Sequence, residues 1–197
     1  MNANSNGVNM PTDQRGYHHG NLRATLIETG LEALNQNDAD GLSLRDVARQ
    51  VGVSATSVYR HFPDKQAFVD ALCAEGSHIL ARAQRAAMEA AGGQQKGLDA
   101  SGLAYVRFAI AYPALFRLMN RARPGDPGPN DRDNPAMREL RANIATLLPA
   151  AATNRQHGIR ALRAWALVHG VAMLVLDGLI PADDALILAI IQSPATP

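Results

Sequence analysis

The chain has 197 residues, 47% of them apolar and 5% aromatic, with a formal net charge of +1. That length suits one compact domain or a small domain joined to a larger one, and the abundance of Ala and Leu favours helices over sheets. Near-neutral charge excludes the global signature of a non-specific nucleic-acid binder, so any such role must rest on where the charges sit.

Cys73 is the only cysteine, which rules out an internal disulfide and fits a reducing, cytoplasmic setting. It lies on a long predicted helix without a flanking base, so a buried, inert thiol is favoured over an oxidant sensor. Residues 1–16 are polar and lack an apolar core, which predicts no signal peptide. The most apolar window, Trp165–Ile180, contains His169 and Asp177 and is too short to predict a membrane span.

Residues 1–16 read as a disordered arm, rich in Asn and Gly. A first helix is predicted from Asn21 to Asn35, where Leu22, Leu26, Ile27, Leu31 and Leu34 recur at helical spacing. A polar loop, Asn35–Gly41, follows. Ser43 and Asp46 match a capping box at the start of a second, short helix that ends by Gly52. Ser54 can cap a third short helix, which stops before Pro63. Asp64 then caps a long fourth helix to Ala90, with Phe68, Leu72, Ile79 and Ala83 as its predicted inner stripe.

Ala91–Gln95 is a predicted break. Helices are expected over Leu98–Tyr112 and Ala114–Arg121, separated by Pro113. Arg123–Asn134 is a loop dense in breakers, and a helix over Pro135–Ala151 follows. The last two helices are predicted over Gln156–Gly178 and Pro181–Gln192, with Pro181 in a first turn and Asp183 and Asp184 at the positive helix end. The sum is an all-α chain of about nine helices.

The segment Ser43 to Phe62 carries the functional signal. Two short helices crossing steeply through a tight turn need particular residue sizes. Ala48 is small where the helices touch, and Gly52 suits a left-handed turn. Leu44, Val47, Val51, Val53 and Val58 are apolar where the pair would seal onto a core. The rest of the third helix, Ala55, Thr56, Ser57, Tyr59, Arg60 and His61, is small or polar, as a surface entering a major groove must be. The plainer alternative is a pair of core helices joined by glycine.

The run Tyr59-Arg60-His61-Phe62-Pro63-Asp64-Lys65 resembles the signature of the TetR family of repressors, and the resemblance extends from Gly20 to about Leu80. It implies an N-terminal three-helix helix-turn-helix DNA-binding domain over residues 17–66, with a helical ligand-binding and dimerisation domain over 67–197. It further implies phosphate or base contacts from Ser43 and Thr56, and base-edge contacts from Ala55, Thr56 and Ser57. Tyr59, His61 and Lys65 would contact phosphate. Arg45 is a further phosphate candidate. Ala55, Thr56 and Ser57 offer no bidentate partner for a base, so discrimination leans on Arg45, Arg60, water or DNA shape. Phe62 would be the structural plug of the motif, and Asp64 a cap.

Trp165 to Gly170, with His169, resembles the Trp…His-Gly signature of one subgroup's C-terminal domain, and Tyr112–Met119 resembles the segment ahead of it. The resemblance implies a homodimer paired through its last two helices and acting on palindromic double-stranded operator DNA. The near-continuous apolarity of Leu162–Ile180 and Ala185–Ile191 independently asks for burial on all sides, which a partner subunit would supply. Phe108, Tyr112, Phe116, Met119, Trp165, His169 and Met173 are candidate walls of a pocket for a small hydrophobic ligand. Plain core is the alternative for each.

No metal or cofactor is implied. Tyr17-His18-His19-Gly20 lacks the further ligands a metal site needs, and an arm packed on the first helix or brushing DNA accounts for it. Arg15 is a weak minor-groove candidate. No Gly-x-Ser-x-Gly, phosphate loop or His-Glu-x-x-His occurs, so an enzyme is not expected. Two regulatory readings stay open: a repressor released by a small ligand, and a DNA-binding regulator without one, gated by a protein partner or constitutive.

Overall fold

A computed structural model describes residues 22–36, 41–121, 134–149 and 151–192. The arm, Arg15, the Tyr17–Gly20 run, most of the loop after the first helix and all but Asn134 of the loop expected at 123–134 lie outside them.

The described residues form nine helices and no strand. They are α1 (Leu22–Gln36), α2 (Leu44–Val51), α3 (Ala55–Tyr59), α4 (Lys65–Ala90), α5 (Gln94–Ala111), α6 (Pro113–Met119), α7 (Pro135–Leu147), α8 (Asn154–Leu176) and α9 (Asp184–Ile191). The helix starts are written in side-chain chemistry. Ser43, Ser54, Asp64, Asn134, Thr153 and Asp183 each accept a hydrogen bond from a first-turn amide. Thr153 and Gln156 complete a reciprocal capping box.

Several boundaries differ from the sequence expectation. α5 begins four residues before Leu98, because Gly92 and Gly93, both at positive φ, complete the reversal and free Gln94 to start the helix. α7 stops at Leu147, ahead of Pro149. Pro181 precedes α9 rather than sitting in its first turn, since Asp183 is the residue whose side chain closes the cap. The inner stripe of α4 is also shifted: Phe68 and Leu72 are buried as expected, but Ile79 and Ala83 are half-buried. The buried face runs instead through Gly76, Ser77, Leu80, Ala81 and Gln84. A helix of 26 residues that packs first on α1, then on α6 and α5, and then on α7 rotates its buried face along its length.

α4 is therefore the spine of the molecule. Its N-terminal half closes the three-helix head and its C-terminal half helps wall the larger α5–α9 body. Close approach is built in at Gly30, where a Cβ would lie 2.9 Å from Leu72 Cδ2, and at Gly76, where it would lie 2.8 Å from Met119 Sδ. A second, smaller core joins Met137, Leu140 and Ile144 of α7 to Ala161 of α8. Ion pairs Arg85–Glu139 (2.7 Å), Arg117–Asp177 (2.8 Å) and Arg107–Asp184 lie on the outside of this body. Arg117–Asp177 and Arg107–Asp184 are solvent-exposed on both sides and add register more than stability, whereas Glu139 is partly buried beneath Arg85. Cys73 is half-buried against the main core.

Candidate nucleic-acid interface and buried cavity

The head is organised around the turn between α2 and α3. Gly52 has φ 78°, the left-handed geometry that favours glycine. Its amide donates to the Arg49 carbonyl, and the Val53 amide donates to the Ala48 carbonyl at 2.9 Å. These two bonds are a Schellman closure of α2. Ser54 then opens α3, accepting from the Ser57 amide at 3.2 Å. Behind the turn Leu44, Val47, Ala48 and Val58 are buried together, with Phe62 beneath them at 2% exposure. Phe62 meets the edge of Phe68, and the Arg23 guanidinium lies 5.3 Å from its ring centroid on the other side.

With the apolar residues turned inward, the polar ones face out. Arg45, Ala55, Thr56, Tyr59, Arg60, His61 and Lys65 are exposed, and Ser43 and Ser57 are half-buried. The whole set therefore lies on the α2–α3 unit and the start of α4. Two side chains are already engaged. Ser43 Oγ accepts from the Asp46 amide at 3.4 Å, and the hydroxyls of Ser54 and Ser57 lie 2.9 Å apart. Arg49 is neutralised by Asp46 at 2.7 Å, whereas Arg45 and Arg60 have no ion-pair partner among the described residues.

The body encloses a cavity of about 1020 Å³ walled by α4, α5, α7 and α8. Its wall is largely apolar, with Leu98, Met137, Leu140, Ile144 and Val168. Of the candidate pocket residues, Met119 and Trp165 line it. Phe108 and Phe116 do not, because both are fully packed into the main core. Tyr112, His169 and Met173 also lie off the lining, packed against Phe108, Trp165 and the core respectively. Two of the seven candidates thus line the cavity and five pack against protein instead.

Tyr105 and Gln84, two buried polar residues of the lining, were not among the sequence candidates. Tyr105 sits one turn before Phe108, and its hydroxyl is the hub of a small polar network. Trp165 Nε1–H donates to it at 3.2 Å, and it lies 3.1 Å from His169 Nδ1. Because the indole can only donate, the phenol oxygen is the acceptor for Trp165, and its own proton can go to His169 Nδ1 in the tautomer that carries the imidazole hydrogen on Nε2. Burial pushes the Tyr105 phenol up to about 12, partly offset by the hydrogen bond from Trp165 and by the Asn120 side chain. Burial also holds His169 below its ordinary value, so the neutral imidazole is favoured. Gln84 is the other missed residue. It is 4% exposed, lines the cavity, and its Oε1 has no hydrogen-bond partner. A polar residue on the inner face of an apolar helix was the available signal.

Comparison with known proteins agrees with this geometry at both ends of the chain. Residues 26–72 match the family described as bacterial regulatory proteins, tetR family, and residues 98–190 match the tetracyclin repressor-like C-terminal domain. Over 91 residues the chain is 34% identical to the class D tetracycline repressor protein of Escherichia coli, a stretch covering 46% of this chain and 40% of that protein. The chain thus spans less than half the length of that relative. A solved structure of a protein with unknown function from Rhodococcus sp. RHA1 superposes with TM-score 0.73 at 30% identity, covering 90% of this chain and 95% of that one. A tetR-family transcriptional regulator from Streptomyces coelicolor shares the fold, with TM-score 0.63 at 21% identity over 86% of this chain and 76% of that one. The helix-turn-helix head and the helical body are each matched by a tetR model, and the two matches together span most of the sequence: the chain belongs to the tetR family of bacterial regulatory proteins.

Proposed function

We propose that this chain is a homodimeric, cytoplasmic transcriptional repressor. It binds a roughly palindromic operator through the α2–α3 unit and is released when a small, largely apolar molecule fills the cavity. The observation that carries the DNA reading is the sorting of the head. Leu44, Val47, Ala48, Val58 and Phe62 are buried, Val51 and Val53 pack against them, and Arg45, Thr56, Tyr59, Arg60 and His61 are left outward beside a capped α3. Ser43, Tyr59, His61 and Lys65 serve phosphate, with Arg45 beside them. Ala55, Thr56, Ser57 and Arg60 face base edges, with shape and water supplying part of the discrimination.

Dimerisation is supported by the outer faces of α8 and α9. Leu162, Leu174, Leu186 and Ile190 are each 38–44% exposed in the single chain. Leu162, Ala166, Gly170 and Leu174 follow one another at intervals of four, so they share one helix face. A Cβ at Gly170 would meet nothing within 4 Å, which leaves room for a second helix to approach. α8 has the length and apolarity of a membrane-crossing helix. Its amphipathic burial against α5 and its arginines at 155, 160 and 163 favour a protein partner over lipid. The Trp165–His169–Gly170 run supports the Trp-His-Gly subgroup, since Trp165 and His169 share the Tyr105 network while Gly170 faces outward.

The size and apolar lining of the cavity favour the ligand-released repressor over a regulator with no small effector. The test is titration of the purified protein against the DNA upstream of its own gene and against a random duplex, at several salt concentrations. Tight binding to the upstream DNA alone, weakening steeply with salt, is the expected result. Equal, weak binding to both duplexes would overturn the reading of that DNA as operator.

A further inference from the structure

Resting on the ligand-released reading above, we infer that the cavity takes an amphipathic organic acid, with a carboxylate at the arginines of its mouth and a hydroxyl or N–H donor meeting Gln84 Oε1 inside. Three features carry this: the orphaned amide, the apolar wall and the charge at the opening.

Gln84 is the inner anchor. A buried carbonyl oxygen without a partner is costly, and the great majority of such atoms in folded proteins are satisfied. Here the unsatisfied atom belongs to a residue lining the cavity; Oε1 itself has almost no accessible surface, so a donor placed in that space reaches it through a small rotation of the amide. The second buried orphan among the described residues, Asn143 Nδ2, belongs to a residue off the lining and does not compete. Between the anchor and solvent the wall is mostly apolar, with Tyr105 and a few amide and hydroxyl side chains among the aliphatic ones, which selects a largely apolar body.

The mouth is cationic. Arg121, Arg160 and Arg163 line the cavity and are solvent-exposed, which marks where it opens. Asp99 is the only acid among the described lining residues. Its carboxylate accepts from Gln95 Nε2 at 2.8 Å, and Gln95 Oε1 accepts from Arg160 Nη2 at 3.3 Å. Asp99 and Arg160 thus share one relay, while Arg121 and Arg163 have no ion-pair partner among the described residues. A guanidinium fork suits a planar carboxylate.

Trp165 is the only tryptophan and lines the cavity, so its fluorescence reports occupancy without DNA. The probes are 10-hydroxydecanoic acid, decanoic acid, 1-decanol and 1,10-decanediol, whose flexible chains adapt to the wall. The expected order is hydroxy acid tightest, with affinity falling roughly tenfold on removing either the hydroxyl or the charge. In Gln84→Leu the preference of hydroxy acid over decanoic acid disappears while the preference for acid over alcohol stays. In Arg163→Ala, an exposed substitution, the pattern reverses. Equal affinity for acid and alcohol at low salt, an unchanged hydroxyl preference in Gln84→Leu, or no saturable quench by either acid would each overturn the proposal. Operator titration with the same probes separates the two readings. Release of DNA by 1-decanol as readily as by the acids sinks the ligand class and leaves the repressor standing. Absence of operator binding with intact acid binding sinks the repressor and leaves the cavity chemistry.

Discussion

Phe62 meets Phe68 edge-to-face, their ring centroids 4.9 Å apart, and this one pairing ties the end of the helix-turn-helix to the spine helix α4. Phe62 is 2% exposed and Phe68 fully buried, so no water can fill a gap there. Phe62→Ala is expected to cost about 3–5 kcal/mol. For a chain of this size that is a fall in melting temperature of roughly 6–20 °C. Circular dichroism melts measure it directly, and a change of only a degree or two would show that the head is not held through this pair.

The head was legible because its geometry is written in single residues. A Gly at the left-handed corner, an Ala where the helices touch and Ser, Ser and Asp caps leave few other ways to fold residues 43–64. The body was legible only as helices. Aromatic residues at helical spacing mark an inner face, but the face of α5 and α6 is shared between core and cavity. Phe108 and Phe116 pack wholly within the core, while Tyr105 belongs to the core and also lines the cavity. That division depends on how α4, α5, α7 and α8 pack around the cavity, which no local pattern encodes. Gln84 was missed for a related reason: the buried face of α4 rotates along its length, so a fixed stripe projected from Phe68 and Leu72 arrives at Ala83 instead.

Arg45 and Arg49 lie one turn apart on α2 and are not equivalent. Arg49 spends its charge on Asp46, whereas Arg45 faces solvent without an ion-pair partner among the described residues. On the DNA-binding reading, Arg45→Ala should weaken operator and random DNA alike. The slope of log affinity against log salt should fall by about 0.9 for each phosphate no longer neutralised, hence by about 1.8 for a dimer. Arg49→Ala should change the slope far less. Filter binding across a salt series checks both variants, and equal slopes would remove Arg45 from the interface. Arg60→Ala is expected to act differently, narrowing the gap between operator and random DNA.

The outer face of α8 makes a prediction about assembly. Gly170 is exposed and has open space where a Cβ would stand, so Gly170→Arg fits the single chain without a clash. In a dimer packed across Leu162, Ala166 and Leu174, the same side chain buries an unpaired charge between two helices. Light scattering should show the native chain at twice the monomer mass and Gly170→Arg at the monomer mass. Its helicity and melting cooperativity should be retained, and operator affinity should collapse. A dimeric Gly170→Arg would move the interface off this face.

Tyr105 links the cavity wall to a titrating group, which gives a prediction in pH. Burial lowers the His169 pKa below its ordinary value of 6.5. As pH falls through 6.5 the unfolded chain binds a proton that the folded chain still refuses, so stability falls with acid and levels off below the lowered pKa. Melting temperatures between pH 8 and pH 5 should therefore drop more steeply for the native chain than for His169→Asn. Tyr105→Phe addresses the same network by deleting the oxygen that accepts from Trp165 Nε1 and faces His169 Nδ1 at 3.1 Å. Two ring nitrogens are then left without that protein partner in a half-buried site, a cost of about 1–3 kcal/mol. The melting temperature at pH 8 should fall by several degrees with the fold unchanged. A variant as stable as the native protein at pH 8 would mean that the hydroxyl is idle, and that the three rings are held by packing alone.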